Sequence, residues 1–380
     1  MVEEKNILKN RIIYILLLVF ISRILMYIVF KGYAWYTGTT KGFVLGLASP
    51  WDNGWYKTIV SYGYDLQPCH HIKRDAASWA FFPLDPICIG FVSKVFKISV
   101  WKAGIVSNTI FLIIALIYAD KYIMLTRRDK KISNVFIWLM TFGPYTFYFS
   151  TLYTESLYLM LTMITFYFMA KQEWIKMGIA GTLLSATRST GILIVFSIAI
   201  FYLIKKYKEK KKWGKVFGEA FKDQRLILGV AMIPMGLFAY MAYLWRLMGD
   251  PLAFMRIQKA WGRSDVSFLK LLWQFLSGEI QNGIYFVVFT VFVIMVICYD
   301  IYNHRSHEIV TPALILGIQC RSSFLCIPRY MISTGFIWIS AAEFIVKHCT
   351  VWLRRVIMAI LTIISIFFLI LWYDQSSFCI

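Results

Sequence analysis

Carboxylates and arginines set among apolar residues are the groups of this chain best placed to do chemistry. Asp52 leads, in the run Trp51-Asp52-Asn53-Gly54-Trp55-Tyr56, because a carboxylate within reach of a hydroxyl can take its proton and make it a nucleophile. The same side chain could instead cap the helix that follows, accepting from first-turn N–H groups, and the sequence leaves both readings open. Glu155, in Tyr153-Thr154-Glu155-Ser156, stands at the mouth of an apolar span, where a charge is costly unless paired. It could also serve a helix start, where the macrodipole favours an acid. Arg188 lies among small residues in Ala186-Thr187-Arg188-Ser189, and a guanidinium there suits a phosphate oxyanion or a carboxylate partner such as Glu155 or Asp52. Arg256, Lys259 and Arg263 recur at helical spacing beside Trp261, as a face for a lipid phosphate or as a solvated basic face. Arg329, next to Tyr330 and after Pro328, either joins them or snorkels to an interface.

Trp51, Trp55, Tyr56 and Tyr153 surround the acids with aromatic rings of the kind that favour the membrane interface. His70 and His71 are adjacent, an arrangement that seldom shares one ion, and no third ligand is spaced to complete a set, so no metal and no cofactor is expected. Arg23, inside the first apolar run, is expected to face the protein interior and find a partner there.

The elements that must position these groups are membrane helices. Hydrophobic residues make up 59% of the chain, and apolar stretches of about 18 residues or more recur along it, long enough to cross a bilayer. A net charge of +20 suggests nucleic acid at first, but the basic residues fall in short clusters between apolar runs: Lys5, Lys9 and Arg11; Arg127, Arg128, Lys130 and Lys131; residues 205–215; Lys347, Arg354 and Arg355. Such clusters mark the cytoplasmic side of a multi-pass membrane protein, and no nucleic-acid partner is expected. Seven cysteines without a C-x-x-C pair imply neither a disulfide framework nor a metal knuckle. The first apolar run has no small-residue cleavage site and reads as a signal anchor.

Spans are expected near 12–30, 101–123, 132–150, 155–170, 175–187, 189–204, 226–246, 283–301, 309–325, 329–346 and 354–373, roughly eleven crossings in one domain over 1–380. The N-terminus is then cytoplasmic, with a first outer loop at 31–100 and a second at 247–282. Within the first loop, Trp51, Trp55, Ile59 and Tyr62 share a helix face and Gly63 can end that helix, so 51–62 is expected to lie on the membrane. Residues 81–97 read as a second interfacial helix, because a full crossing there would carry the basic run at 127–131 outside.

Taken together, WDNGWYKTIVSYGYD (51–65), AFFPLDP (80–86), YTESLY (153–158), ATRSTGIL (186–193), GDPLAFMRIQKAWGR (249–263) and IPRY (327–330) resemble the PIG-V family of mannosyltransferases and its bacterial relatives. The resemblance implies an all-α polytopic GT-C type membrane glycosyltransferase with two membrane-lying helices in its first outer loop. It implies transfer of a hexose, with mannose expected, from a polyprenyl-phosphate donor to a hydroxyl of a lipid, glycan or protein acceptor, with inversion, on the extracytoplasmic side. Asp52 falls on the family's loop aspartate, the base; Glu155 joins it as a catalytic acid residue. Arg188, Arg256, Lys259, Arg263 and Arg329 are expected at the donor phosphate, and Trp51, Trp55, Tyr56 and Tyr153 at the substrate. A transporter or flippase of lipid-linked sugars would share the spans and the basic face but should show inverted halves with paired broken helices, and none is evident. A non-catalytic membrane partner would tolerate loss of Asp52, Glu155 and Arg188 together.

Overall fold

The computed structural model describes residues 2–71, 74–210, 222–261 and 267–379. Its helices are α1 (Val2–Thr37), α2 (Phe43–Ala48), α3 (Asn53–Tyr62), α4 (Leu84–Phe96), α5 (Val100–Thr126), α6 (Lys130–Phe142), α7 (Glu155–Ala170), α8 (Trp174–Ser185), α9 (Ile194–Lys210), α10 (Gln224–Met232), α11 (Met235–Met248), α12 (Ala253–Arg256), α13 (Phe268–Leu276), α14 (Gly283–Tyr302), α15 (Ser306–Ser322), α16 (Ile327–Thr334), α17 (Phe336–His348) and α18 (Val351–Tyr373). Two three-residue strands, β1 (Cys69–His71) and β2 (Arg74–Ala76), pair antiparallel with His70 opposite Asp75 in the first loop. That hairpin has no counterpart in the sequence expectations.

Among the described residues six stretches are long and apolar enough to span a bilayer: Lys9–Thr37, Val100–Thr126, Ser189–Glu209, Gln224–Met248, Gly283–Tyr302 and Val351–Tyr373. The chain is therefore an all-α polytopic membrane protein. The other five expected spans correspond to shorter helices, among them α6 with 13 residues, α7 with 16 and α8 with 12. Burial separates the two groups. Long helices such as α1 and α18 show much of their surface to the outside, whereas α7 is enclosed nearly all round, as an all-apolar helix in a core must be.

The short helices stop where the backbone leaves helical geometry inside the protein. The expected span 132–150 ends as helix at Phe142 and continues as a buried 3₁₀ turn over Thr146–Ser150. Residues 226–246 divide at Ile233–Pro234, and 329–346 divide at Gly335, whose φ of 76° favours a residue without a side chain. Non-helical backbone at membrane depth is tolerated only when protein covers it, and these breaks are covered. Close helix contact needs small residues as well: a Cβ on Gly229 would sit 2.3 Å from the Trp174 carbonyl oxygen, so α10 and α8 touch backbone to backbone.

The first outer loop is tied to the bundle rather than draped over it. Helix α3 begins at Asn53 and ends at Gly63, and α4 starts after Pro83, both close to expectation. Tyr240 of α11 donates to the carbonyls of Trp79 (2.9 Å) and Phe81 (3.3 Å), and Tyr64 donates to Phe81 at 2.7 Å. The Leu84 amide reaches the Ala186 carbonyl at 3.3 Å.

Ionic groups close the opposite end of the bundle. Arg11 pairs with Asp120 and meets Ser133 (2.8 Å) and Asn134. Arg127 pairs with Glu308 and also reaches Glu343 at 3.3 Å; Arg305 bridges Glu343 and Asp300. Two residues of the basic clusters are thus buried ion-pair partners and not free surface charge. Arg23 departs from expectation in the other direction: its Nη1 meets Ser22 at 3.3 Å and Met26 Sδ at 3.7 Å, with no carboxylate partner among the described residues. Glu308→Ala, which leaves Arg127 with only the longer contact to Glu343, is expected to cost about 3 kcal/mol, measured as loss of unfolding free energy in detergent, while Lys347→Ala on the exposed rim of the same network stays within about 1 kcal/mol.

Candidate active site

Helix α3 presents its first residues to the interior because the chain turns sharply just before it. Trp51 adopts φ 55°, a left-handed conformation seldom taken by a bulky side chain, and it stays 40% exposed at the rim. Asn53, fully buried, then locks the turn: its Nδ2 donates to the Pro50 carbonyl at 2.5 Å and its Oδ1 accepts from the Leu152 amide at 2.6 Å. The turn before α3 is thereby fastened to the segment leading into α7.

Asp52 occupies the N-cap position of α3, but its side chain makes no cap hydrogen bond. Its carboxylate accepts from Trp261 Nε1 at 3.3 Å and pairs with Arg329 at 3.3 Å, and its amide donates to the Tyr153 hydroxyl at 3.1 Å. The capping reading therefore fails. The group faces the protein and keeps some access to solvent, its side chain being 23% exposed.

Glu155, the first residue of α7, is completely buried and ion-paired with Arg188; Arg329 Nε lies 3.4 Å from the same oxygen. Both readings of Glu155 hold together, since it sits at a helix start and is also paired. Arg188 Nε donates to Thr154 at 2.6 Å and its Nη1 to Ser333 at 3.4 Å. Its guanidinium lies over Tyr158 and Tyr330, and that of Arg329 lies 4.7 Å from the Tyr153 ring centroid. The result is one connected chain, Asp52–Arg329–Glu155–Arg188, contributed by the turn before α3, the first turns of α16 and α7, and the extended residue that precedes the 3₁₀ stretch between α8 and α9.

Aromatic rings wall the Asp52 end. Trp55 stacks on Phe81 at 5.9 Å, Trp261 contacts both edge-on at 5.8 and 5.5 Å, and Tyr56 stands against Phe81 and Tyr153. Of the expected basic face, Arg256 and Lys259 are exposed, Arg256 paired with Asp250 at 2.9 Å, and Arg263 lies outside the described residues. The expected single helix there is one turn, Ala253–Arg256, followed by a 3₁₀ turn over Ile257–Trp261, which directs Trp261 inward to Asp52.

Asp85 was not singled out by its spacing, although an acid between two prolines in an apolar run is itself a signal. In the first turn of α4 it is fully buried, and neither carboxylate oxygen has a hydrogen-bond partner. Burial and then the nearby Glu155 carboxylate push its carboxyl well above the usual range, offset only in part by Arg188. Asn53, Trp261, Thr154 and Ser333 were likewise read too weakly, because their roles depend on partners far away in the chain. Among the described residues no group of three or more His, Cys, Asp or Glu side chains is placed to hold a metal ion.

The fold these elements build is also that of a membrane protein of known structure. The crystal structure of ArnT from Cupriavidus metallidurans bound to undecaprenyl phosphate superimposes on 96% of this chain and 76% of its own length, with a TM-score of 0.52 at 11% sequence identity. The apo structure of the same protein aligns over the same shares at 12% identity and a TM-score of 0.49. No protein-family profile matches the sequence, and no curated protein does.

Two outcomes test this geometry. Asn53→Ala leaves the Leu152 amide unsatisfied and is expected to cost about 1–3 kcal/mol of unfolding free energy. For Asp85, the folded protein holds the proton more tightly than the unfolded chain, so its burial destabilises only above the ordinary carboxylate pKa of about 4. Asp85→Asn, neutral throughout, should therefore raise the melting temperature by an amount that widens between about pH 4 and pH 8. A gain equal at both ends of that range contradicts the assignment.

Proposed function

We propose that this chain is an integral membrane glycosyltransferase that moves a hexose, with mannose the expected sugar, from a polyprenyl-phosphate donor to a hydroxyl of a lipid, glycan or protein acceptor. The observation that carries the reading is the buried alternation of two carboxylates and two guanidiniums at one end of a GT-C fold. The ArnT structure of that fold is bound to undecaprenyl phosphate, which supports a lipid-phosphate ligand here. The sequence motifs shared with PIG-V mannosyltransferases favour mannose.

In this mechanism the prenyl chain lies along the lipid-facing helices and its phosphate meets Arg188 and Arg329, whose planar guanidiniums suit two phosphate oxygens. Arg256 and Lys259, exposed further out, draw the anionic headgroup in from the surface, and Arg263 of the same basic run is expected to add its charge to theirs. Asp52 takes the proton of the acceptor hydroxyl as that oxygen attacks C1 of the sugar. The C1–O bond to the phosphate breaks on the opposite face, its electron pair leaves on the phosphate oxygen, and the new glycosidic bond is inverted. Glu155 holds both guanidiniums in register before the donor arrives, and a bound phosphate competes with it for them. Trp51, Trp55, Tyr56 and Tyr153 shape the entrance and seat the sugar against ring faces. The basic clusters at the far ends of the helices support a cytoplasmic N-terminus and a site on the extracytoplasmic side.

The test uses purified protein in lipid with radiolabelled polyprenyl-phosphate mannose and a total lipid and glycan extract. Wild type should transfer label, and Asp52→Asn should reduce the rate by about 100-fold or more while donor binding stays within a few-fold. Equal transfer by both removes Asp52 from the chemistry. No transfer by wild type with mannose or other prenyl-phosphate sugars, accompanied by uptake or flipping of the lipid, favours a transporter instead.

A further inference from the structure

We propose that Asp85 is a specificity-determining residue that hydrogen-bonds a hydroxyl of the sugar carried on the lipid phosphate, an inference that rests on the donor reading above. Three observations point there. Asp85 is completely buried, yet neither carboxylate oxygen has a hydrogen-bond partner, and the second oxygen of Glu155, Oε2, is also buried and unmatched. Polar groups left this way in a folded protein ask for a partner that arrives later. The backbone that carries Asp85 is also held in place: Pro83 and Pro86 flank it, the Leu84 amide is tied to Ala186, and the Phe81 carbonyl just upstream accepts from Tyr64 and Tyr240.

Charge balance then decides its form. Asp52, Glu155 and Asp85 are three acids beside two cations, Arg188 and Arg329, and the two guanidiniums are taken by Asp52 and Glu155. The charges that act on Asp85 are those of Glu155 and Arg188, so a second buried anion there is disfavoured and the neutral acid is the stable form. A neutral carboxyl offers one donor and one acceptor, and Glu155 Oε2 offers a further acceptor. That set matches a pair of sugar hydroxyls, each able to give and to take. Bare polyprenyl phosphate lacks the hydroxyls and leaves Asp85 unmatched. The residue therefore separates the loaded donor from the spent carrier, which favours product release after transfer.

The experiment measures binding, independent of turnover. Wild type, Asp85→Asn and Asp85→Leu in nanodiscs are titrated with polyprenyl-phosphate mannose, glucose and galactose and with bare polyprenyl phosphate, followed by tryptophan fluorescence. Wild type should bind one glycosylated lipid at least about tenfold more tightly than the bare one. Asp85→Asn, which keeps a donor and an acceptor, should retain that ratio and the ranking of sugars. Asp85→Leu should bind all four lipids alike, with its affinity for the bare lipid unchanged. A wild-type ratio in the Leu variant overturns the inference and leaves the donor reading intact. Loss of the ratio in Asp85→Asn, or its loss from wild type on adding a chelator, overturns it too, since an ionised or cation-bound carboxylate would then be required. Binding of none of these lipids by wild type overturns the donor reading and the inference with it.

Discussion

Electroneutrality in a buried site is the constraint on which this structure turns. Glu155 has no exposed surface, and Arg188 and Arg329 are nearly enclosed. Moving any one of them into the bundle alone would be prohibitive, and only the alternation with Asp52 makes the set tolerable. Tyr153, Tyr158 and Tyr330 add ring faces to the guanidiniums, and Thr154 and Ser333 take remaining donors. A site balanced in charge in this way is also poised. An incoming phosphate can replace carboxylate contacts without stranding a cation, because the carboxylates stay within reach.

That arrangement requires the backbone to abandon helical geometry where the charges gather. Each member stands at or beside a joint: the turn before α3, the first turn of α7, the residue before the 3₁₀ stretch between α8 and α9, and the first turn of α16. Continuous spans would direct these side chains along helix faces, about 1.5 Å of rise apart per residue, with no convergence from four directions. Short helices enclosed by long ones supply the joints and cover them. The opposite end uses the same economy for a different purpose, with Arg127, Glu308, Glu343, Arg305 and Asp300 fastening the end of α5 to α14, α15 and α17.

Much of this architecture was legible in the chain. Apolar run length marked the helices, Gly63 marked the end of α3 and Pro328 the start of α16, and the helix expected over 81–97 is α4, begun three residues later. The acids and arginines stood out because charge in an apolar setting is rare. What escaped was pairing at long range. Trp261 was noted beside a basic face, yet it turns inward to Asp52, 209 positions away in sequence. Asp85 carried a sequence signal, but only the structure shows that both its oxygens are unmatched. Arg23 is expected to find a partner and, among the described residues, meets Ser22 and Met26 and no carboxylate.

The sequence by itself determined that the chain is a multi-pass helical membrane protein with acids and arginines gathered in its connecting segments, because hydropathy and charge cost act locally. Only the tertiary structure decided that Asp52 faces Arg329 and is not a helix cap, that Glu155 joins both arginines, and that Arg256 turns to Asp250 at the surface. Those outcomes depend on which joints meet in space. Local propensity does not encode that, since each pairing spends its energy across tens to hundreds of residues of intervening chain.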